Sequence, residues 1–275
     1  CMINIINKND EEEIGLAGNY SGMRFWSTDF IIKEFDKLIS MGVKTIKITD
    51  EMFLLNPKYY LPLCDELIKR NQNDELKMWA YSRIDTIKRP GVLNKVRKAG
   101  IKWLCLGIES GSKAIRLEVS KGKFEDVDVE KVVKQVEESD IQVLANYIYG
   151  LPGDTIKSIN DTFNLSLKLN TLGWNTYAAM ALPGSKLYKD AIENKIDVPK
   201  KYSEFSFHSY DTKPQPTDTL NPGQILKLRD KHFQKYFSNA NFLEKINNKF
   251  GQAAVNNIND MLKVKLKRKL IEENN

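Results

Sequence analysis

Three short motifs place acidic or glycine residues directly after runs of β-branched and apolar residues. Asp50-Glu51 follows residues 43–49, and two adjacent carboxylates can bind an ammonium group through charge-assisted hydrogen bonds. Gly107-Ile108-Glu109-Ser110-Gly111 places an acid between glycines, which let a ligand approach the backbone closely. Gly150-Leu151-Pro152-Gly153-Asp154-Thr155 can present backbone groups to a flat heterocycle.

Each motif also has a purely structural interpretation. Asp50 and Glu51 can cap a helix. Glu109 can be the carboxylate at the first turn of a helix that follows a tight βα turn. The Gly150 motif can be a rigid turn in which Asp154 or Thr155 caps the next helix. Taken one at a time, the motifs leave both interpretations open.

The elements that would position these motifs alternate between strand and helix patterns. Alternation of apolar and polar residues predicts strands at residues 43–49, 77–81, 102–108, 141–149 and 176–181. Apolar residues at helical spacing predict a helix before the first of these strands, capped by Ser27, and further helices between the strands. Serial βα units with right-handed crossovers explain this order.

The position of the polar residues distinguishes a barrel from an open sheet. No G-x-G-x-x-G sequence follows the first predicted strand, as an open dinucleotide-binding sheet would require. Polar residues follow each strand instead, as on the active-site face of a barrel. We therefore predict an α/β fold, a partial (β/α)6 TIM-like barrel that lacks its first strand, over residues 1–190. Residues 191–275 are predicted to be a lid loop and a C-terminal helical extension, which closes the barrel or carries partner specificity.

Composition excludes several classes of protein. The chain has 275 residues, 41% of them hydrophobic, and a formal net charge of +6. No apolar run approaches the roughly 20 residues that span a bilayer. The three cysteines are widely spaced, which is typical of the reduced thiols of a cytoplasmic protein. The basic residues at 263–269 fit a solvated helix face, so we expect neither a membrane nor a nucleic acid partner.

Taken in their order along the chain, the strand-end motifs resemble those of the radical S-adenosylmethionine (SAM) superfamily, and most closely those of its members with an N-terminal cobalamin-binding domain. The similarity covers roughly residues 1–188. Cys1 falls where the family has the last cysteine of C-x3-C-x2-C. The strand-end motifs of the family resemble, in order, residues 46–53, Arg83-Ile84-Asp85, Gly107-Ile108-Glu109-Ser110, Gly150 to Thr155, and residues 182–188.

The resemblance implies a [4Fe–4S] cluster, reductive cleavage of SAM to a 5′-deoxyadenosyl radical, and possible use of cobalamin for methyl transfer or rearrangement. It also implies a substrate of unknown identity and an electron donor such as flavodoxin or ferredoxin. The resemblance implies that Cys1 binds the cluster and that Asp50 and Glu51 bind the methionine ammonium. Glu109 and Ser110 would lie near the ribose or the methionine carboxylate, and Arg83 would neutralise a carboxylate. The positions implied for the adenosine are Asn146, Tyr149, Gly150, Leu151 and Pro152.

The chain departs from the family pattern at the cluster. The first two cysteines of the motif are missing, and Cys64 and Cys105 lack cluster spacing, so we expect them to be buried core thiols. The chain is therefore expected to start at the last cluster cysteine and to be inactive alone. The two histidines, His208 and His232, are too isolated to form a metal site. His208 lies between Phe207 and Ser209 in the predicted lid and is the better candidate for substrate contact, although a structural role is the favoured interpretation.

Three other classes stay open. A lipoprotein or an N-terminal-nucleophile hydrolase also begins on cysteine, although the βα repeat argues against the stacked sheets of the latter. A non-catalytic barrel that binds a small molecule is the third alternative.

Overall fold

The computed structural model describes residues 25–50, 52–88, 91–120 and 127–273. In these ranges, five strands form one sheet in sequence order, and the first four pair in parallel. This order confirms the predicted α/β class and the partial barrel of serial βα units. The strands are β1 (Thr45–Lys47), β2 (Lys77–Arg83), β3 (Ile101–Glu109), β4 (Gln142–Tyr149) and β5 (Gly173–Ala178).

Helices alternate with the strands and then continue to the C-terminal end of the described chain. Ser27 caps the first helix as predicted, since its Oγ accepts a hydrogen bond from the Phe30 amide at 3.2 Å. Of the helices in the described ranges, none is long and apolar enough to cross a membrane. The helices are α1 (Thr28–Ser40), α2 (Pro57–Arg70), the 3-10 helix Ile84–Lys88, α3 (Val92–Lys98), α4 (Lys113–Ser120), α5 (Val129–Glu138), α6 (Ile156–Leu169), α7 (Lys186–Glu193), α8 (Tyr202–Phe205), α9 (Pro222–Phe237), α10 (Ala240–Phe250), α11 (Gln252–Lys263) and α12 (Lys269–Glu272).

Three predicted elements have different bounds. The first strand is shorter than residues 43–49, because the ladder with β2 covers Thr45–Lys47. The last strand starts at Gly173 rather than at residue 176, and a Cβ at Gly173 would lie 2.6 Å from Leu144 Cγ, so the close approach needs a glycine. The predicted C-terminal helical extension is divided into separate helices, the first break after α9 being followed by another at Gly251, whose φ of 80° ends α10.

The chain divides into two compact units, the first of which contains residues 25–147 and 164–175. Here alternate residues of the sheet differ in burial, because successive side chains of a strand point to opposite faces. Met78, Ala80 and Ser82 are buried, whereas Trp79, Tyr81 and Arg83 are partly exposed. We call the second side the open face; by register it carries Lys47, Trp79, Tyr81, Arg83, Trp103, Cys105, Gly107 and Asn146.

The second unit includes residues 148–163 and 176–273. Its core is built around Tyr149, Ile159, Leu220, Ile225 and Leu226, with other side chains packed against them. This apolar cluster joins the end of β4 to α6 and α9, because the contacting side chains are removed from water.

Arg268 ties the C-terminal segment into this second unit. Its side chain is fully buried, and its Nε donates to Asp230 Oδ2 at 2.9 Å. One terminal nitrogen also donates to the Phe207 and Ser209 carbonyls at 2.9 and 3.2 Å. The prediction of a solvated face over residues 263–269 is therefore wrong at Arg268, because the chain is extended there and turns the side chain inward.

We predict that Arg268→Met lowers the free energy of unfolding by about 3 kcal/mol, because Asp230 and two carbonyl groups lose a buried partner. Chemical denaturation monitored by circular dichroism measures this change. Lys263→Met is the matched control: Lys263 pairs with Asp260 at 2.7 Å on the surface, and such a pair contributes about 0.5 kcal/mol. Equal effects of the two substitutions would contradict the structural role of Arg268.

Candidate functional site

In the first unit, three of the predicted site residues lie at the carboxyl ends of neighbouring strands. Arg83 ends β2, Glu109 ends β3, and Asn146 is near the end of β4. The sheet register pairs Arg83 with Gly107 and Gly107 with Asn146. Because parallel strands present their carboxyl ends at one edge, this edge combines a guanidinium, a carboxylate and an amide.

Glu109 has an unusual backbone conformation. Its φ is 69°, in the left-handed region that residues other than glycine seldom adopt. The Ser110 amide donates to the Ile108 carbonyl at 2.9 Å, which makes Glu109 the centre of a three-residue γ-turn with positive φ, a rare and strained form. Such strain persists where the surrounding structure holds it, and it is concentrated at functional sites.

Gly107 makes room for the Glu109 carboxylate. A Cβ at Gly107 would lie 2.6 Å from Glu109 Oε1, so the carboxylate lies directly over the Gly107 backbone. The pairing of β3 with β4 shifts register between the same two residues, as it does at a β-bulge that redirects a side chain. The glycine permits a close approach, as the sequence predicted, but the approaching group is the protein's own carboxylate.

Burial changes the protonation of Glu109. Removal from water raises the pKa of its carboxyl to about 7, although the nearby Arg83 guanidinium opposes the rise. Arg83 is shared, since its Nε also donates to Asp85 Oδ1 at 2.9 Å. A hydroxyl group or a cation placed beside Glu109 would favour the ionised carboxylate, so this group can couple ligand binding to proton release.

Asn146 lies beside its neighbour on β5 and a buried thiol. Its Oδ1 accepts a hydrogen bond from Asn175 Nδ2 at 3.1 Å. Burial raises the pKa of the Cys105 thiol, an effect that Asn146 and Trp79 partly offset, and burial raises the pKa of Cys64 to about 12. Both cysteines are buried and free, which confirms the prediction of core thiols.

The other predicted residues of this unit differ in their surroundings. Ser110 is buried, and its Oγ accepts from the Ser112 amide at 3.1 Å just before α4, a local turn contact. Asp50 is exposed. The pKa of Tyr59 is raised mainly by the burial of Tyr59 itself and, to a smaller extent, by the negative charge of Asp50. Glu51 and Cys1 lie outside the described residues. Within the described ranges, no cluster of three or more His, Cys, Asp or Glu residues is suited to hold a metal.

In the second unit, the turn after β4 is held by Asp154. Its Oδ2 accepts from the amides of Gly150 and Leu151 at 3.1 and 3.0 Å, while Ser158 Oγ donates to Oδ1 at 2.6 Å. Thr155 caps α6, since its Oγ1 accepts from the Ser158 amide at 3.2 Å. The two amides that the sequence predicted to be available to a ligand are thus engaged within the turn, as is the Leu151 carbonyl, which accepts a hydrogen bond from the Asp154 amide at 2.9 Å.

The segment before α9 braces the same turn. Thr217 Oγ1 and Thr219 Oγ1 donate to the Asp154 carbonyl at 2.9 and 3.1 Å. Gly150 has a φ of 79°, and a Cβ there would lie 2.8 Å from Ile225 Cδ1. The glycine is needed both for the left-handed backbone and for the approach of α9.

His232 on α9 contacts the last residue of β4. The Tyr149 hydroxyl and His232 Nδ1 are 2.9 Å apart, and the imidazole stacks on Phe163 with ring centroids 4.0 Å apart. Burial, with Lys235 and Lys231 nearby, lowers the pKa of His232 to about 4. His208, the better sequence candidate, is exposed. The sequence feature that could have indicated the burial of His232 is its helical spacing: it lies three residues after Arg229 and four before Tyr236, on the buried side of α9.

The comparisons with known proteins agree with the motif order. The family model described as the Radical SAM superfamily matches residues 1–166. An anaerobic magnesium-protoporphyrin IX monomethyl ester cyclase of Cereibacter sphaeroides is 24% identical over 211 residues, which are 75% of this chain and 33% of the relative. The chain thus spans about a third of the length of this curated relative.

Two solved structures share the fold. One is the radical SAM methyltransferase TsrM of Kitasatospora setae with cobalamin and a [4Fe–4S] cluster bound, at a TM-score of 0.53 and 17% identity, over 64% of this chain and 33% of that chain. The other is the cobalamin-dependent SAM radical enzyme OxsB, at a TM-score of 0.51 and 14% identity, over 86% of this chain and 41% of that chain. At these identities the likeness supports the fold.

We predict that Tyr149 and His232 are energetically coupled. Tyr149→Phe or His232→Phe alone leaves a buried polar atom unpaired, at a cost of about 1–3 kcal/mol, whereas the double variant removes both polar atoms and costs less than the sum. A double-mutant cycle by denaturant unfolding measures the coupling. The control cycle combines Tyr149→Phe with Tyr210→Phe, whose hydroxyl bonds the exposed Glu272 at 2.7 Å; these effects should add. Additivity in the first cycle would contradict the contact.

Proposed function

Since the chain belongs to the radical SAM superfamily, we propose that it forms the SAM-binding core of an enzyme that transfers a methyl group or closes a ring on a small-molecule substrate with the help of cobalamin. Enzyme activity and the use of a [4Fe–4S] cluster and SAM follow from the family. The reaction is suggested by relatives that are named as a cyclase and as methyltransferases.

The observation that carries the proposal is the strained turn at Glu109. Its φ of 69° and its pKa of about 7 both cost stability. A helix cap needs neither feature, since caps are solvated and have ordinary backbone geometry. A carboxylate positioned to accept hydrogen bonds from hydroxyl or ammonium groups of a ligand explains both the strained backbone and the raised pKa. This supports Glu109 as a ligand of SAM.

The residues along this edge fit the polar groups of SAM. Asp50 is proposed for the methionine ammonium together with Glu51, Arg83 for the carboxylate, and Glu109 for ribose hydroxyls. When bound, the cluster and SAM supply one-electron cleavage of the sulfonium to a carbon radical. The protein's own residues would bind and orient SAM: the Arg83 guanidinium donates to Asp85, and Gly107 leaves the space that the Glu109 carboxylate occupies. Ser110, Asn146, Tyr149, Gly150, Leu151 and Pro152 stay predicted cofactor contacts.

Cys1 is proposed as one cluster ligand. Cys64 and Cys105 do not fit this role, because burial raises the pKa of both thiols and a cluster binds thiolates. Neither of these two thiols is therefore proposed as a further cluster ligand. A flavodoxin or ferredoxin is the proposed source of electrons.

We expect the longest reading frame that contains this chain to cleave SAM after anaerobic cluster reconstitution. With dithionite, chromatography should detect 5′-deoxyadenosine or S-adenosylhomocysteine. Glu109→Gln should weaken SAM binding about 10–100-fold, because a charge-assisted hydrogen bond contributes about 1.5–3 kcal/mol. Calorimetric titration measures this affinity.

The matched control is Glu118→Gln on the exposed side of α4, which should bind SAM as the wild type does. A fully loaded wild-type protein that neither binds nor cleaves SAM would reject the proposed function. Unchanged affinity in Glu109→Gln would reject the assignment of Glu109.

A further inference from the structure

We infer that the open face at Lys47, Trp79 and Tyr81 is a binding surface for a planar, conjugated anion. This inference rests on the proposed function, because it names the class of substrate on which that enzyme would act. It concerns residues of the first unit that no SAM contact uses.

The first observation is that the aromatic side chains on this side of β2 keep exposed surface. Along β2, Met78 and Ala80 are 1% and 0% exposed, whereas Trp79 and Tyr81 between them keep partial exposure. Trp103 of β3 is in register with Trp79 and is also partly exposed. Three large aromatic side chains at the centre of a sheet thus retain surface that burial would otherwise remove from water.

The second observation is the position of Lys47. Its Nζ lies 5.0 Å from the centroid of the Trp79 ring and 5.5 Å from that of Tyr81, within the range of cation–π attraction. The two rings are 6.0 Å apart and inclined by 33°. The ammonium group therefore lies beside the aromatic surface.

The third observation is that Lys47 lacks a carboxylate partner. Lys44 and Lys95 of the same unit do have one, with Glu75 at 3.1 Å and Asp65 at 2.7 Å. Lys77 and Lys98 form no ion pair in the described ranges either, so the distinguishing feature of Lys47 is its contact with two aromatic rings. In the ranges that the structure describes, Lys47 forms no ion pair, and it is exposed. A positive charge beside aromatic faces complements a ligand with a flat π-system and an anionic group.

Charge and shape together select the ligand class. An aliphatic anion would pair with Lys47 but leave the rings uncovered, and a neutral aromatic would stack without using the ammonium. A conjugated carboxylate uses both features, so the carboxylate should add to the affinity that stacking provides.

The test is calorimetric titration of the full-length protein, without SAM or reductant, with 2-naphthoate and with its neutral amide, 2-naphthamide. The wild type should bind 2-naphthoate about tenfold more tightly than the amide, as expected for one charge-assisted contact. Lys47→Met should abolish this preference, whereas Lys44→Met, the matched surface control, should retain it. Trp79→Leu should weaken both ligands about tenfold, and Trp79→Phe, a milder change, should weaken them less.

Equal affinity for the two ligands, absence of 2-naphthoate binding, or a Lys47→Met variant that keeps the preference would overturn the inference. Melting temperatures show whether each variant is folded. SAM cleavage, measured on the same wild-type protein, separates the two proposals: cleavage without naphthoate binding rejects only this inference, and naphthoate binding without cleavage rejects only the proposed function.

Discussion

A left-handed backbone at Glu109 ends β3 and fixes the place of the carboxylate at the strand edge. The carboxylate lies over Gly107 and is partly buried, and the guanidinium of Arg83 on the neighbouring strand favours its ionised form. The rest of the unit makes this possible, because the paired strands on either side hold a conformation that costs about 1–3 kcal/mol by itself. Local strain is thus balanced by the ladder hydrogen bonds and by the buried face of the sheet.

The sheet supports this edge through its two different faces. Ala80, Leu104 and Leu106 are fully buried. Burial of this face of the sheet stabilises the unit, so that stability does not depend on burial of the open face. Side chains on the other side of the sheet, such as Lys47, Trp79 and Asn146, keep exposed surface. In the second unit, Asp154 plays the corresponding part for the turn after β4, where it engages two amides.

Local sequence patterns made the parallel sheet and part of the candidate site predictable. Strand alternation and the polar residues after each strand predicted the parallel sheet and the edge with Arg83, Glu109 and Asn146, because both depend on residues close in sequence. The roles of His232 and Arg268 were not predictable, since Tyr149 and Asp230 reach them only through tertiary packing. The first strand was predicted too long because its β-branched run continues beyond the residues that pair with β2.

The most direct test of Glu109 as a SAM ligand is proton release on binding. With a pKa raised to about 7, Glu109 carries a proton in part of the molecules at neutral pH, and hydroxyl or ammonium groups of SAM would favour the ionised form. Titration calorimetry of the reconstituted protein in two buffers of different ionisation enthalpy measures the protons exchanged. We expect net proton release by the wild type at pH 7 and none from this position in Glu109→Gln. Identical proton exchange in the two proteins would contradict the role of Glu109.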